Sequence, residues 1–354
     1  MQIDDIPAWL DGRVPTGEFS GSVLVTRRGE TVLEHAAGLA HRGHRVPNRP
    51  DTRFSIASVT KLAVAVMALR LVERGLVDLH GPLTEILPEA HRPAALTPAH
   101  TLHHLLAHTS GLANYHDDED ETWASWMACW DRIPTYHVRR PADMLPLFAD
   151  LPAVRPPGEA YQYCDAGYIL VGLAVEAATG RRWEDVLAEE VLVPAGMADT
   201  AVEALDEDPA RLAIGYVIDE GPVDRRRSNI YSLTANGMPD GGMLSTTGDL
   251  ARLIDALVGG QLLGPELLAA MTRPQSPPTP GEVDRYGYGC SLVPKGDAID
   301  IIGHGGGDPG VASLVSHHLA TGTTIVVLCN QDRGAGPTTQ AITEALGLED
   351  ARFA

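Results

Sequence analysis

Ser58-Val59-Thr60-Lys61-Leu62-Ala63-Val64-Ala65-Val66-Met67-Ala68-Leu69 is the stretch on which the reading of this chain turns. From Leu62 onward the run is apolar on every side, and a helix apolar all round is a buried one. It predicts a central helix over Ser58–Arg74 that ends at Gly75, a residue suited to closing a helix. Ser58 and Lys61 stand at the mouth of that helix, on one face and one turn apart. A serine hydroxyl is a weak nucleophile until a neighbour takes its proton, which a buried amine three residues on can do. Of 27 basic residues only Lys61 and Lys295 are lysine. Arginine keeps its proton in a protein whereas a desolvated lysine can release it, so the placement of Lys61 has chemical content.

The 354 residues suit one large domain or two intimately packed lobes. The formal net charge of −20 argues against nucleic acid or an anionic membrane as partner, since both would repel the chain. No run of 18 apolar residues is present to span a bilayer. Met1–Pro7 is acidic and lacks a basic-then-apolar leader, so the expected compartment is the cytoplasm. Cys129, Cys164, Cys290 and Cys329 have no paired spacing and read as free thiols. The acidic run Asp117–Glu121 and the basic Arg225–Arg227 read as solvated loops. Nothing in the pattern fixes an oligomeric state.

Outward from the central helix, Gly21–Thr26 and Thr31–Ala36 are strand-like runs joined by Arg27–Glu30, a hairpin signal. Leu102–Ala107, Gly167–Ala178 (stopping at Thr179-Gly180) and Asp249–Val258 read as helices. Strand signals return at Tyr288–Val293, Ala298–Ile302, Ser313–Ser316 and Thr323–Cys329, and a helix over about Thr338–Leu346 closes the chain. Strands at both ends with helices between them imply an α/β fold. Its mainly antiparallel sheet is built from both termini and flanked by helices, with an inserted all-helical lobe. We expect one catalytic domain over 1–354, with a sheet lobe of about 1–57 and 283–354 and a helical lobe of about 58–282. The proline-rich Arg273–Glu282 marks the return from lobe to sheet.

Five ordered segments then define a resemblance. They are Phe54–Lys61, Leu105–Leu112 (Leu-Leu-Ala-His-Thr-Ser-Gly-Leu), Pro157–Asp165 (ending Tyr163-Cys164-Asp165), Asp240–Thr246 and Gly303-His304-Gly305-Gly306-Gly307. In these the chain resembles the serine β-lactamase and penicillin-binding-protein superfamily. Within it, the chain is most similar to the class C β-lactamase-like branch with its DD-peptidases, D-aminopeptidases and esterases. The resemblance implies the β-lactamase-like fold and a serine hydrolase acting on a small ester or amide through an acyl-enzyme on Ser58. Lys61 would help to deprotonate Ser58, and Tyr163 would pass the proton to the leaving group; which of them is the base in acylation stays open. The backbone N–H groups of Ser58 and Gly307 would receive the oxyanion, each such donor supplying about 3 kcal/mol. No cofactor or metal is implied.

Two segments depart from the family pattern. Where the second usually ends in Asn, this chain has Asp165, which only accepts hydrogen bonds. Its plainest role is to cap the following helix. Otherwise it holds Lys61 protonated or attracts a cationic substrate group such as a free α-amine. In the third, where β-lactamases carry Lys-Thr-Gly, stand His304, Gly305 and Gly306. His304 is a candidate catalytic residue, its structural alternative being a hydrogen-bonder at a strand end, and the glycines allow backbone to approach a ligand closely. Without the Lys and Thr, β-lactamase turnover should be slow, which favours a carboxylesterase or a D-amino-acid amidase or peptidase. An acyltransferase and a non-catalytic binding protein on the same scaffold are the alternatives.

Other signals are set aside. His104 and His108 have a zinc-compatible spacing on an expected helix, but the glutamate of a zinc-protease motif is missing. No G-x-S-x-G elbow is present for an α/β-hydrolase. Trp123, Trp126 and Trp130 form a stripe that reads as core, or as a wall of the acyl pocket together with Tyr136.

Overall fold

The computed structural model describes residues 1–116, 123–218, 226–277 and 285–348, with no account of the side chains of residues 123–125. Its centre is a seven-stranded sheet. The strands are β1 (Gly21–Arg27), β2 (Glu30–Ala37), β3 (Arg285–Tyr286), β4 (Ser291–Lys295), β5 (Ala298–Asp308), β6 (Val311–His318) and β7 (Thr323–Cys329). Their spatial order is β2-β1-β7-β6-β5-β4-β3, and every pairing is antiparallel. The first and last strands of the sheet therefore lie side by side, next to the edge strand β2. All seven residues of β7 are buried, as befits a strand covered on both faces.

Two apolar layers cover the sheet. On one face α1 (Ile6–Arg13) and the last helix pack over Val23, Val25, Ile325 and Val327. On the other lies the larger core around α2 (Thr60–Glu73), which buries every residue from Thr60 to Leu69. That all-round burial is what its sequence predicts. Against it stand α3 (Leu102–Leu106) and α4 (Asp165–Thr179), the latter closed by Gly180 in the left-handed region at φ 67°. Then come α5 (Thr247–Val258), capped by the Thr246 hydroxyl, and α6 (Ala335–Leu346). Among the described residues no helix is long and apolar enough to cross a membrane. All four cysteines are free thiols.

Several boundaries differ from the sequence reading. Helix α3 ends at Leu106, and His108 lies beyond it at φ 54°, so His104 and His108 do not share a helical face. Helix α4 begins at Asp165, with Cys164 at the cap position and no side-chain cap bond. Asp165 is thus inside the helix, not its cap. Tyr288–Cys290 is a turn rather than strand, because the backbone at Gly289 (φ 62°) is pressed onto α2. A Cβ on Gly289 would lie 2.4 Å from the Ala65 Cβ and 2.6 Å from the Lys61 carbonyl. Strand β5 runs through Gly303–Gly307, where the sequence placed only a segment after a strand; pairing with β6 from Ile301 to Asp308 carries the glycines into the sheet. The acidic run at 117–121 and residues 278–284 of the proline-rich return lie outside the described residues.

Candidate active site

Ala57–Val59 forms a single tight turn that runs straight into α2. Ala57 holds a left-handed φ of 46°, uncommon for a residue with a Cβ. Lys61 follows, fully buried. Its ammonium lies 2.9 Å from Ser58 Oγ, 2.5 Å from the Asp240 carbonyl and 2.5 Å from Asp165 Oδ1. An ammonium has three protons to donate, and each has an acceptor. Burial pushes the amine down, but the Asp165 carboxylate, with Tyr163 and Asp240, outweighs it and holds Lys61 above the ordinary lysine range. Burial likewise pushes Asp165 up, and Lys61 and His116 draw it well below the carboxylate range.

Tyr163 lies over this pair, its ring centroid 4.9 Å from Lys61 Nζ. Burial pushes the phenol up to about 12, opposed by the Lys61 charge and by hydrogen bonding with Lys61 and Ser58. His108, set aside as a metal ligand, positions the Tyr163 segment. Its Nδ1 accepts from the Cys164 N–H at 3.0 Å, its carbonyl accepts from the Gln162 N–H at 2.8 Å, and its ring packs 4.2 Å from that of Tyr163.

His304 is enclosed by β5 and Tyr286. Nδ1 donates to the Gly305 carbonyl at 2.5 Å, and Nε2 accepts from the Tyr286 hydroxyl at 2.9 Å. Burial and the Lys61 charge push it down to about 4, so it is a neutral imidazole with both nitrogens engaged. That geometry matches the structural alternative for this residue.

β4 pairs with β5 only as far as Gly303, which leaves Gly305–Asp308 without a strand on that side. This open edge lies on the Ser58 turn. A Cβ on Gly306 would fall 2.5 Å from the Ile56 carbonyl and 3.0 Å from the Ser58 nitrogen. Glycine at 306 is thus demanded by the protein's own backbone rather than by a ligand. A Cβ on Gly307 would meet nothing within 4 Å.

A cleft of about 520 Å³, open to solvent, adjoins the turn. Its wall includes Tyr115, Trp126, Trp130, Asp240, Gly241 and Asp308. Trp126 and Trp130 of the sequence stripe line it, the Trp123 side chain lying outside the described residues, whereas Tyr136 projects into solvent.

Sequence reasoning missed several of these groups. His116 Nε2 lies 2.8 Å from Asp165 Oδ2, and the Tyr115 hydroxyl donates to Asp240 Oδ2 at 2.5 Å. Neither residue belongs to a quoted segment; both stand just after Leu112. Asp240 was legible only as the first letter of a glycine box.

The profile of the family described as Beta-lactamase matches residues 13–348. The chain belongs to the β-lactamase family. As a member it is a serine hydrolase. This β-lactamase-family chain is 34% identical to a penicillin-binding protein of Bacillus halodurans of known crystal structure. The match has a TM-score of 0.87 and covers 95% of this chain and 99% of that one. It is 31% identical over 292 residues to esterase EstB of Burkholderia gladioli, across 76% of this chain and 73% of the relative. It is also 26% identical over 362 residues to a D-aminopeptidase of Cereibacter sphaeroides, across 99% of this chain and 64% of that protein.

Proposed function

We propose that this serine hydrolase cleaves a small carboxylic ester or amide through an acyl-enzyme on Ser58. The observation that carries the reading is the 2.9 Å contact between Lys61 Nζ and Ser58 Oγ, next to an open cleft whose wall includes Ser55, Asp240 and Gly241. Asp165 holds Lys61 as a cation, so in this arrangement the ammonium acts through its field and hydrogen bonds rather than as a free base. Proton transfer then falls to Tyr163. Its oxygen takes the Ser58 proton as Oγ attacks the carbonyl carbon, and its own proton goes to the leaving oxygen or nitrogen, with the nearby ammonium stabilising phenolate character. The Ser58 and Gly307 N–H groups receive the carbonyl oxygen as it becomes an oxyanion. Water then reverses the sequence, giving a proton through Tyr163 back to Ser58 and releasing the acid. The similarity to an esterase and to a D-aminopeptidase supports both leaving-group classes.

The test is pre-steady-state release of p-nitrophenol from p-nitrophenyl butyrate. Wild type should give a burst near one equivalent, and Ser58→Ala should give none. A burst that survives the substitution assigns the nucleophile elsewhere.

A further inference from the structure

We propose that the cleft beside Ser58 receives a positively charged group of the substrate. An ammonium or other compact organic cation would sit between the carboxylates of Asp240 and Asp308 and against the rings of Tyr115, Trp126 and Trp130. The proposal rests on the Ser58 reading only in making the cation part of a substrate; binding of the cation stands apart from it.

The placement follows from strand geometry. Side chains alternate across a strand, so His304, Gly306 and Asp308 project from the same face of β5. Gly306 identifies that face as the one set on the Ser58 turn. Asp308 therefore emerges beside the nucleophile, where it lines the cleft together with Asp240.

The charges do not balance. Three carboxylates, those of Asp165, Asp240 and Asp308, act on one another and face two basic groups among the described residues, Lys61 and His116. The ammonium spends its protons on Ser58, the Asp240 backbone and Asp165. His304 is neutral, and His108 is held well below the ordinary histidine value by burial and by Lys61. His116 is bound to Asp165. The Asp240 carboxylate, only 6% exposed, receives the Tyr115 hydroxyl, a neutral donor. Asp308 is half-buried and takes no side-chain hydrogen bond or ion pair from the described residues. Burial and Asp165 push Asp240 up to about 6, and burial with Asp240 and Asp165 pushes Asp308 up to about 7. Both shifts come first from burial, which disfavours a charged carboxylate, and then from the neighbouring carboxylates, so a cation placed between the two would draw both back down.

A second feature of the wall points to a ligand. Trp130 is 7% exposed, yet its indole N–H has no partner among the described residues. Its ring lies 6.1 Å from that of Trp126 and 6.4 Å from that of Tyr115, centroid to centroid. Aromatic faces attract cations, and the free N–H suits an acceptor oxygen on the same molecule. An amino ester or amino amide carries both groups.

Asp165, the sequence-level candidate for holding such an amine, is already committed to Lys61 and His116. The structure moves the role to Asp308 and Asp240.

The experiment compares benzylammonium with benzyl alcohol at matched ionic strength. Each is measured by calorimetric binding to the whole chain and as an inhibitor of p-nitrophenyl butyrate hydrolysis. Benzylammonium should bind at least tenfold more tightly and compete with the ester. Asp308→Asn, checked for folding by its melting temperature, should abolish the preference, and Asp240→Asn should weaken it. Equal binding of amine and alcohol overturns the proposal, as does a tenfold preference untouched by both variants. Binding without competition overturns the substrate assignment. If benzylammonium binds as expected but the p-nitrophenol burst survives Ser58→Ala, the nucleophile reading falls and the cation site stands.

Discussion

Replacing Asp165 with Ala tests the buried ion pair directly. The substitution removes a carboxylate 2.5 Å from a fully buried ammonium and leaves Lys61 with the Ser58 hydroxyl and the Asp240 carbonyl. Breaking a buried pair by deleting one partner costs about 3–5 kcal/mol, because the other charge stays uncompensated. For a chain of 354 residues about 1.3 °C is lost per kcal/mol, so the melting temperature should fall by roughly 4–7 °C. The pH dependence carries a sign of its own. In the wild type Lys61 is held above its ordinary 10.5, so its contribution is fully present below that pH and is lost only as pH rises through the still higher folded value. In Asp165→Ala burial wins and the folded value drops below 10.5, so the unfolded chain binds more protons and stability must rise with pH toward 10.5. In the wild type Asp165 itself stabilises the fold above its ordinary 3.8, and that stability fades as pH falls from there toward the depressed folded value; the variant lacks this acid limb. Thermal unfolding between pH 3 and pH 10, followed by far-UV circular dichroism, reads both limbs. A melting temperature within about 2 °C of wild type at neutral pH, or a variant whose stability is flat from pH 7 to 10, would refute the reasoning.

Other outcomes follow from the same geometry. Gly306→Ala forces main-chain atoms of Ile56 and Ser58 apart, and a misplacement of that kind should lower kcat by about 10²-fold. Gly307→Ala enters open space and should leave the melting temperature within about 1 °C, a surface change being worth about 0.5 kcal/mol or less; the reverse ranking in thermal shift and turnover would place the close contact at the wrong glycine. β-Lactam turnover should be poor. Where β-lactamases carry a lysine this chain has a neutral, fully engaged His304, and Asp240 and Asp308 repel the β-lactam carboxylate. Losing one charge-assisted bond of about 1.5–3 kcal/mol puts kcat/KM for nitrocefin roughly 10–100-fold or more below that for p-nitrophenyl butyrate; comparable values for the two substrates would contradict this picture of the cleft.

Local pattern was enough to read the central helix, the hairpin Gly21–Ala37, the late strands and the antiparallel sheet. The reason is that burial imposes period and length on α2 and on β1 and β7. Ser58 and Lys61 were legible because i and i+3 geometry is a property of any helix. The extent of β5 was not: glycines at 303 and 305–307 read as a loop, and only the pairing partner β6 makes them strand. Nor was the fate of Asp165. A residue just before a helix and the first residue inside it look alike in sequence, whereas the ion pair depends on α2 and α4 meeting side by side.

The sequence by itself determined the fold class and the Ser58–Lys61 pair, since both follow from periodicities and from ordered segments along one chain. Only the tertiary structure decided that Asp165 serves Lys61, that His304 is held by Tyr286, and that Asp240 and Asp308 face one cleft with Trp130. Those partners lie tens to hundreds of residues apart, and their encounter is set by how helices and strands pack. Short-range preference carries no record of it.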